Sequence, residues 1–188
     1  MLAMKRTTML TIATATVTLA VLGGAAKSAQ DKYSLKVPGG LAFSEFRGYE
    51  DWAVVAVART EDLIKVVVAN PVMMSAYRAG IPGNGKPVPD GAKMAKVEWR
   101  PKKSTNAPYD ISVPGTVYDL DFMVKDSKRF ADSGGWGYAV FVHDTASDMY
   151  KPGTLTHQPP QGNDAKCGVA CHTIVKARDY VFTEYARR

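Results

Sequence analysis

The residues best suited to chemistry lie near the C-terminal end, in Cys167-Gly168-Val169-Ala170-Cys171-His172. These are the two cysteines of the sequence, and the second is followed at once by one of its three histidines. Three chemistries compete for such a segment. Two thiols and an adjacent imidazole are the donor set of covalent haem attachment: the sulfurs add to the porphyrin vinyl groups and the histidine binds iron. The usual spacing is C-x-x-C-H, and here one more residue separates the cysteines. An i, i+4 spacing on a helix can instead bring two thiols together as a disulfide in an exported protein. A zinc site wants four protein ligands, or three plus water, and only His143 and His157 remain to help. A disulfide gives the histidine no role and zinc is short of ligands. The residues therefore favour haem, with Cys167 and Cys171 as thioether donors and His172 on the iron.

The elements that must position this segment fit one ordinary domain, the 188 residues dividing into a leader and a mature body. Residues 1–29 have the parts of a secretory signal. Lys5 and Arg6 come first, then an apolar, Thr-rich run over 9–24, then the small residues Ala25, Ala26, Ser28 and Ala29 near a cut. The run is too short and too rich in threonine for a spanning helix, which needs roughly 20 mainly apolar residues. The expected product is a periplasmic protein, residues 30–188, with no membrane span in its mature form. Hydrophobic content of 46% with 22% charged residues belongs to a globular chain. The formal charge of +6 includes Lys5 and Arg6 of the leader, so the mature body is mildly basic. Its lysines are scattered, which speaks against nucleic acid as a partner. A basic surface suits an acidic redox protein instead.

Short β-branched or alternating runs predict strands over 52–58, 63–69, 93–100, 116–125 and 136–143. The first two are expected to be buried and joined as a hairpin. Asn70-Pro71 predicts a helix start, with the helix running to Arg78 and stopping at Gly80. Residues 80–91, rich in Gly and Pro, must be a loop, and 101–115 is a second polar, Pro-bearing stretch. Residues 40–47 carry no clear pattern. Alternation puts Met94, Lys96 and Glu98 on a face expected to meet solvent, opposite Ala95, Val97 and Trp99. In the fourth strand it puts Tyr118, Leu120, Phe122 and Val124 on the core side and Asp119, Asp121 and Met123 on the other. Residues 126–130 predict one helical turn, 132–135 a tight turn, and 144–164 a tether to the cysteine segment. A helix should then run to about residue 177, and Tyr180, Val181 and Phe182 should pack. Five strands with one helix among them predict an α+β fold, mainly an antiparallel β-sheet with few helices, the haem attached near the C-terminus.

Taken in order, several stretches resemble the cytochrome P-460 family, exported c-type cytochromes that include hydroxylamine-oxidising enzymes and the cytochrome c′-beta group. The matching pieces are Tyr49-Glu50-Asp51-Trp52, Asp90-Gly91 leading to Lys96, and Met123-Val124-Lys125-Asp126-Ser127-Lys128-Arg129-Phe130. Gly135-Trp136-Gly137-Tyr138, the cysteine segment and Asp179-Tyr180-Val181-Phe182-Thr183 follow. The resemblance implies an antiparallel sheet, a homodimer and one covalently bound haem c whose iron is held by His172 with its opposite face open. It also implies a lysine amine bonded to the porphyrin edge, which corresponds to Lys96, and a distal carboxylate that handles protons, which corresponds to Asp121. Such an amine must be neutral to add to the ring, and a carboxylate above the iron can accept protons as N–H and O–H bonds are oxidised. Two positions depart from the enzyme pattern: three residues rather than two separate the cysteines, and Asp121 stands where the enzyme has Glu. The implied activity is oxidation of hydroxylamine, with or without nitric oxide, and delivery of electrons to a redox partner. The alternatives are a nitric-oxide-binding protein of the cytochrome c′-beta kind, or an electron carrier with Met94 or Met123 as sixth ligand.

Overall fold

Successive strands of this chain pair with one another, through short turn-rich connections everywhere except between the second and third, where a helix and a long loop intervene. The computed structural model describes residues 29–39, 41–155 and 168–186. The predicted leader, apart from Ala29, lies outside the described residues, as do His157 and Cys167. Six strands, β1 (Ala53–Arg59), β2 (Ile64–Ala69), β3 (Lys93–Lys103), β4 (Ser112–Lys125), β5 (Trp136–Asp144) and β6 (Met149–Pro152), form one antiparallel meander in that order. One helix of two turns, α1 (Pro71–Arg78), interrupts them. It starts where predicted, the Asn70 side chain accepting the Met73 N–H at 3.0 Å. Among the described residues no helix is long and apolar enough to cross a membrane.

The side-chain alternation of β3, β4 and β5 gives the sheet two different faces. On one, Leu120, Phe122, Val124, Ala139 and Phe141 pack against Phe43, Phe46 and Tyr49 of the N-terminal segment. That segment, unpatterned in the sequence, forms 3-10 turns at Phe43–Phe46 and Tyr49–Asp51. Phe46 stacks on Phe122 with ring centroids 4.1 Å apart, and burying each such ring stabilises by roughly 1.5–3 kcal/mol.

The other face corrects an expectation. Met94 and Glu98 are buried there, and Lys96, Asp119 and Asp121 are half-buried. Part of it is covered by α1, Val169 and Val181, which form a second core with Met94, Met123, Trp136 and Tyr138. Period-2 alternation reports that two faces differ; it cannot report that a distant segment folds over the polar one.

Four smaller corrections concern boundaries and burial. Strand β1 is an edge rather than a buried strand, with Val55 its one buried residue. Strands β3 and β4 continue into both ends of the stretch predicted as irregular, and Pro101 pairs with Pro114. The prolines are tolerated because β2 pairs with β3 only as far as Trp99 and β5 reaches β4 only at Asp119, so each strand keeps one open edge there. Gly115 lets them approach, since a Cβ at that position would lie 2.6 Å from the Arg100 carbonyl oxygen. Strand β6, hidden in the predicted tether, carries one proline and no apolar run, and it forms because β5 offers it an edge.

At the C-terminal end, α2 (Val169–His172) passes into 3-10 geometry over Thr173–Arg178, kinked at Val175. The single helix predicted to residue 177 is therefore two pieces.

Candidate functional site

A cavity of about 180 Å³ lies between the polar face of the sheet and the C-terminal segment. Strands β2 to β5 supply Val67, Met94, Lys96, Asp121, Met123, Tyr138 and Val140 as one wall; Cys171, His172, Phe182 and Thr183 form the other. Of the residues singled out in the sequence, Lys96, Asp121, Cys171 and His172 thus meet around one space, although as many as 76 positions separate them. Cys167 lies outside the described residues. His143 does not line the cavity; it sits on β5 against Asp148, Nε2 to Oδ1 3.0 Å, so the zinc alternative gains no ligand from it.

His172 is held in a defined state. Its Nδ1 is 2.6 Å from the carbonyl oxygen of Tyr180, and a carbonyl only accepts, so Nδ1 carries the proton and Nε2 keeps its lone pair. Burial pushes the imidazole pKa below its ordinary value, with the positive charge of Lys96 acting the same way and the Tyr180 hydrogen bond opposing. The ring lies 5.1 Å from that of Tyr138 and 5.0 Å from that of Phe182, centroid to centroid. A neutral imidazole with one nitrogen oriented by a carbonyl and the other available is the usual state of a metal-binding histidine.

The opposite wall is charged. Antiparallel register sets Lys96 across from Asp121 and Glu98 across from Asp119. Lys96 Nζ lies 2.5 Å from Asp121 Oδ2 and 2.9 Å from Glu98 Oε1, and Lys65 reaches the same Glu98 oxygen at 3.0 Å. Carboxylate oxygens of Glu98, Asp119 and Asp121 come within 4.8 Å of one another. Burial raises Asp121 above the usual carboxylate range against the pull of Lys96. Asp119 is raised to about 7, first by burial, then by the charges of Asp121 and Glu98. Burial pushes Glu98 up as well, but its two lysines outweigh this and hold it below the ordinary value.

The chemistry of these walls fits a haem. The cavity lining is largely apolar, the imidazole is a ready iron donor, and Cys171 stands beside it. Phe182 is 47% exposed although it lines the cavity, and Ile174, two residues beyond His172, is 80% exposed; a flat apolar macrocycle would cover such surface. Met94 and Met123 line the same wall as Lys96 and Asp121, and the Met94 sulfur already accepts a hydrogen bond from the Tyr77 hydroxyl at 3.5 Å.

Sequence reasoning missed Tyr138 and Phe182 as cavity residues and treated Glu98 and Asp119 as surface. Alternation along β5 could have found Tyr138, since it faces the same way as Val140, which pairs with Asp121. Glu98 carried a weaker signal, as a carboxylate on the lysine-bearing side of β3.

A comparison with known families matches residues 46–183 to the model described as Cytochrome P460. A comparison with curated proteins returns no match. The match spans most of the chain and takes in both walls of the cavity, and on it the chain belongs to the cytochrome P460 family, c-type haem proteins among which are oxidisers of hydroxylamine.

Proposed function

We propose that the protein is an exported, periplasmic mono-haem cytochrome that oxidises hydroxylamine, with nitric oxide as a possible second substrate, and passes the electrons to a redox partner protein. In this reading Cys167 and Cys171 hold one haem c covalently, His172 binds its iron through Nε2, and the mature chain works as a homodimer. The haem, when bound, supplies the centre that takes up the nitrogenous substrate and accepts its electrons. One observation carries the reading: register pairs Lys96 with Asp121 on the wall facing His172.

Each residue has a task that follows from its surroundings. The His172 imidazole is neutral and aimed by Tyr180, so ligation needs no loss of a proton from a charged ring. Asp121, raised by burial, is a stronger base than an exposed aspartate and can take a proton from the N–H or O–H of the substrate. Lys96 would present its amine to the porphyrin edge, and Asp121 Oδ2, at 2.5 Å, is placed to hold the proton which that amine gives up when it becomes neutral. Val67, Met94, Met123 and Val140 make the lining between the walls largely apolar.

The test begins with a tryptic digest of the purified protein. A haem peptide that carries a fragment containing Lys96, together with a ferrous band far to the red of ordinary c-type haem, is the expected result. A haem peptide without Lys96 removes the cross-linked enzyme. Asp121→Ala should keep its haem and lose most of its hydroxylamine turnover, and unchanged turnover would take Asp121 out of the mechanism.

A second reading has its own observation. Lys96 is ion-paired with Glu98 as well as Asp121, an arrangement that suits an unmodified ammonium. The protein would then be a nitric-oxide-binding member of the family without turnover.

A further inference from the structure

His172 takes its orientation from a backbone carbonyl eight residues along the chain, and that carbonyl sits in a conformation the chain does not adopt unaided. To bring the Tyr180 oxygen back to Nδ1, the backbone kinks at Val175 and then places two successive non-glycine residues in the left-handed region, Asp179 at φ 47° and Tyr180 at φ 62°. Aspartate tolerates that region and tyrosine does not readily do so. Something outside the turn must hold it.

That hold is provided by Asp179. Its carboxylate oxygens lie 2.8 and 2.9 Å from Lys125 Nζ at the end of β4, and one of them also accepts the Val88 N–H at 2.7 Å. Its own carbonyl accepts the Trp136 indole N–H at 2.8 Å. The pair is well covered, the side chains 7% and 15% exposed for Lys125 and Asp179. Lys125 also donates to the Gly134 carbonyl at 3.0 Å. Gly134 makes room for the next residue, since a Cβ on it would meet the Tyr180 ring at 2.3 Å. The sheet, through Lys125 and Trp136, and the 80–91 loop, through Val88, therefore grip one residue, the β4–β5 turn braces Lys125, and the carbonyl of the next residue grips the imidazole.

We propose that Asp179, clamped by Lys125, is a positioning residue for the iron ligand: the ion pair fixes the Tyr180 carbonyl, and through it the plane and basicity of the His172 ring. The inference rests on the reading that His172 binds iron. A rigid acceptor at Nδ1 makes imidazole a stronger donor to a metal, so loosening the clamp weakens the iron–histidine bond and favours the ferrous state.

The test is resonance Raman spectroscopy of the ferrous haem protein with a redox titration of the same samples. In Asp179→Asn the iron–histidine stretching band should broaden and move to lower frequency, and the midpoint potential should rise. Removing one partner strands a buried charge and can impair folding, so the Lys125→Met/Asp179→Asn double variant, which strands none, should show the same shifts. Trp136→Phe, a milder change that frees only the Asp179 carbonyl, should show a smaller shift in the same direction. Lys103→Met, at an exposed ion pair, should show none. Any of the three clamp variants with full haem content but the original band and potential overturns the proposal. The underlying reading is tested apart, by His172→Gly: the band should vanish and return with added imidazole, and its persistence would show that His172 is not the ligand.

Discussion

At the scale of single residues, the polar wall is a problem in charge. Three carboxylates, Glu98, Asp119 and Asp121, share two ammonium groups, Lys65 and Lys96, in a half-buried space. The set is one positive charge short, and Asp119, raised to about 7 from its ordinary 3.8, is where a proton makes up the difference. The folded chain therefore binds a proton that the unfolded chain has released across this interval. Stability supplied by that proton is complete below pH 3.8 and is lost as pH rises through about 7. Glu98 acts with opposite sign: its depressed pKa contributes stability above the ordinary carboxylate range, lost as pH falls through its folded value. In Asp119→Asn, urea midpoints measured from pH 4 to 8 should no longer fall across the upper part of the range. A slope equal to that of the unaltered protein would assign the proton elsewhere. The identities of Lys96, Asp121, Cys171 and His172 as candidates were legible in the sequence because type and spacing carry that information. The charge balance was not, because it depends on how deeply Glu98 and Asp119 are buried and on strand register setting them beside each other and beside Lys65 and Lys96.

At the scale of elements, five of the six strands and α1 were readable, β6 was not, and boundaries were less legible than the elements themselves. The cap at Asn70 has more work than a sequence pattern reveals. Its side-chain oxygen accepts from both Met73 and Lys93 N–H, and its amide donates to the Gly91 carbonyl at 2.9 Å, joining α1 to the start of β3. Asn70→Ala should cost about 2 kcal/mol in chemical denaturation, the upper end for a lost cap, with the haem spectrum unchanged. The paired prolines teach a different lesson. Proline and glycine usually end a strand in a sequence, and here they sit inside a hairpin that has outrun its neighbours, where a missing N–H costs nothing. Gly115→Ala tests this: its methyl would press on the Arg100 carbonyl, and amide exchange should quicken on both strands beyond Trp99 while the site wall keeps its protection.

At the scale of the whole molecule, the sheet separates two tasks. One face carries the aromatic core that holds the domain together, so Phe122→Ala should cost about 3–5 kcal/mol in denaturant unfolding, by opening the stack with Phe46 and the contacts to Phe43 and Phe141. The net charge of +3 over residues 30–188, 21 Lys and Arg against 18 Asp and Glu, acts over longer distances. If electrons leave to an acidic acceptor, stopped-flow rates of that transfer should fall as added salt shortens the screening length, and rates indifferent to salt would rule out steering by charge.

The order of the meander has one more consequence. The wall bearing Lys96 and Asp121 is complete by the end of β5, at residue 144, and every strand in it pairs only with its sequence neighbours. The imidazole side of the cavity comes from a segment that follows all six strands in the chain and is held against them through Asp179. The two halves of the site are thus coupled at a single joint: a substitution at Lys125 or Trp136 in the strands reaches the imidazole as directly as one in the tail, so neither half can drift without the other registering it.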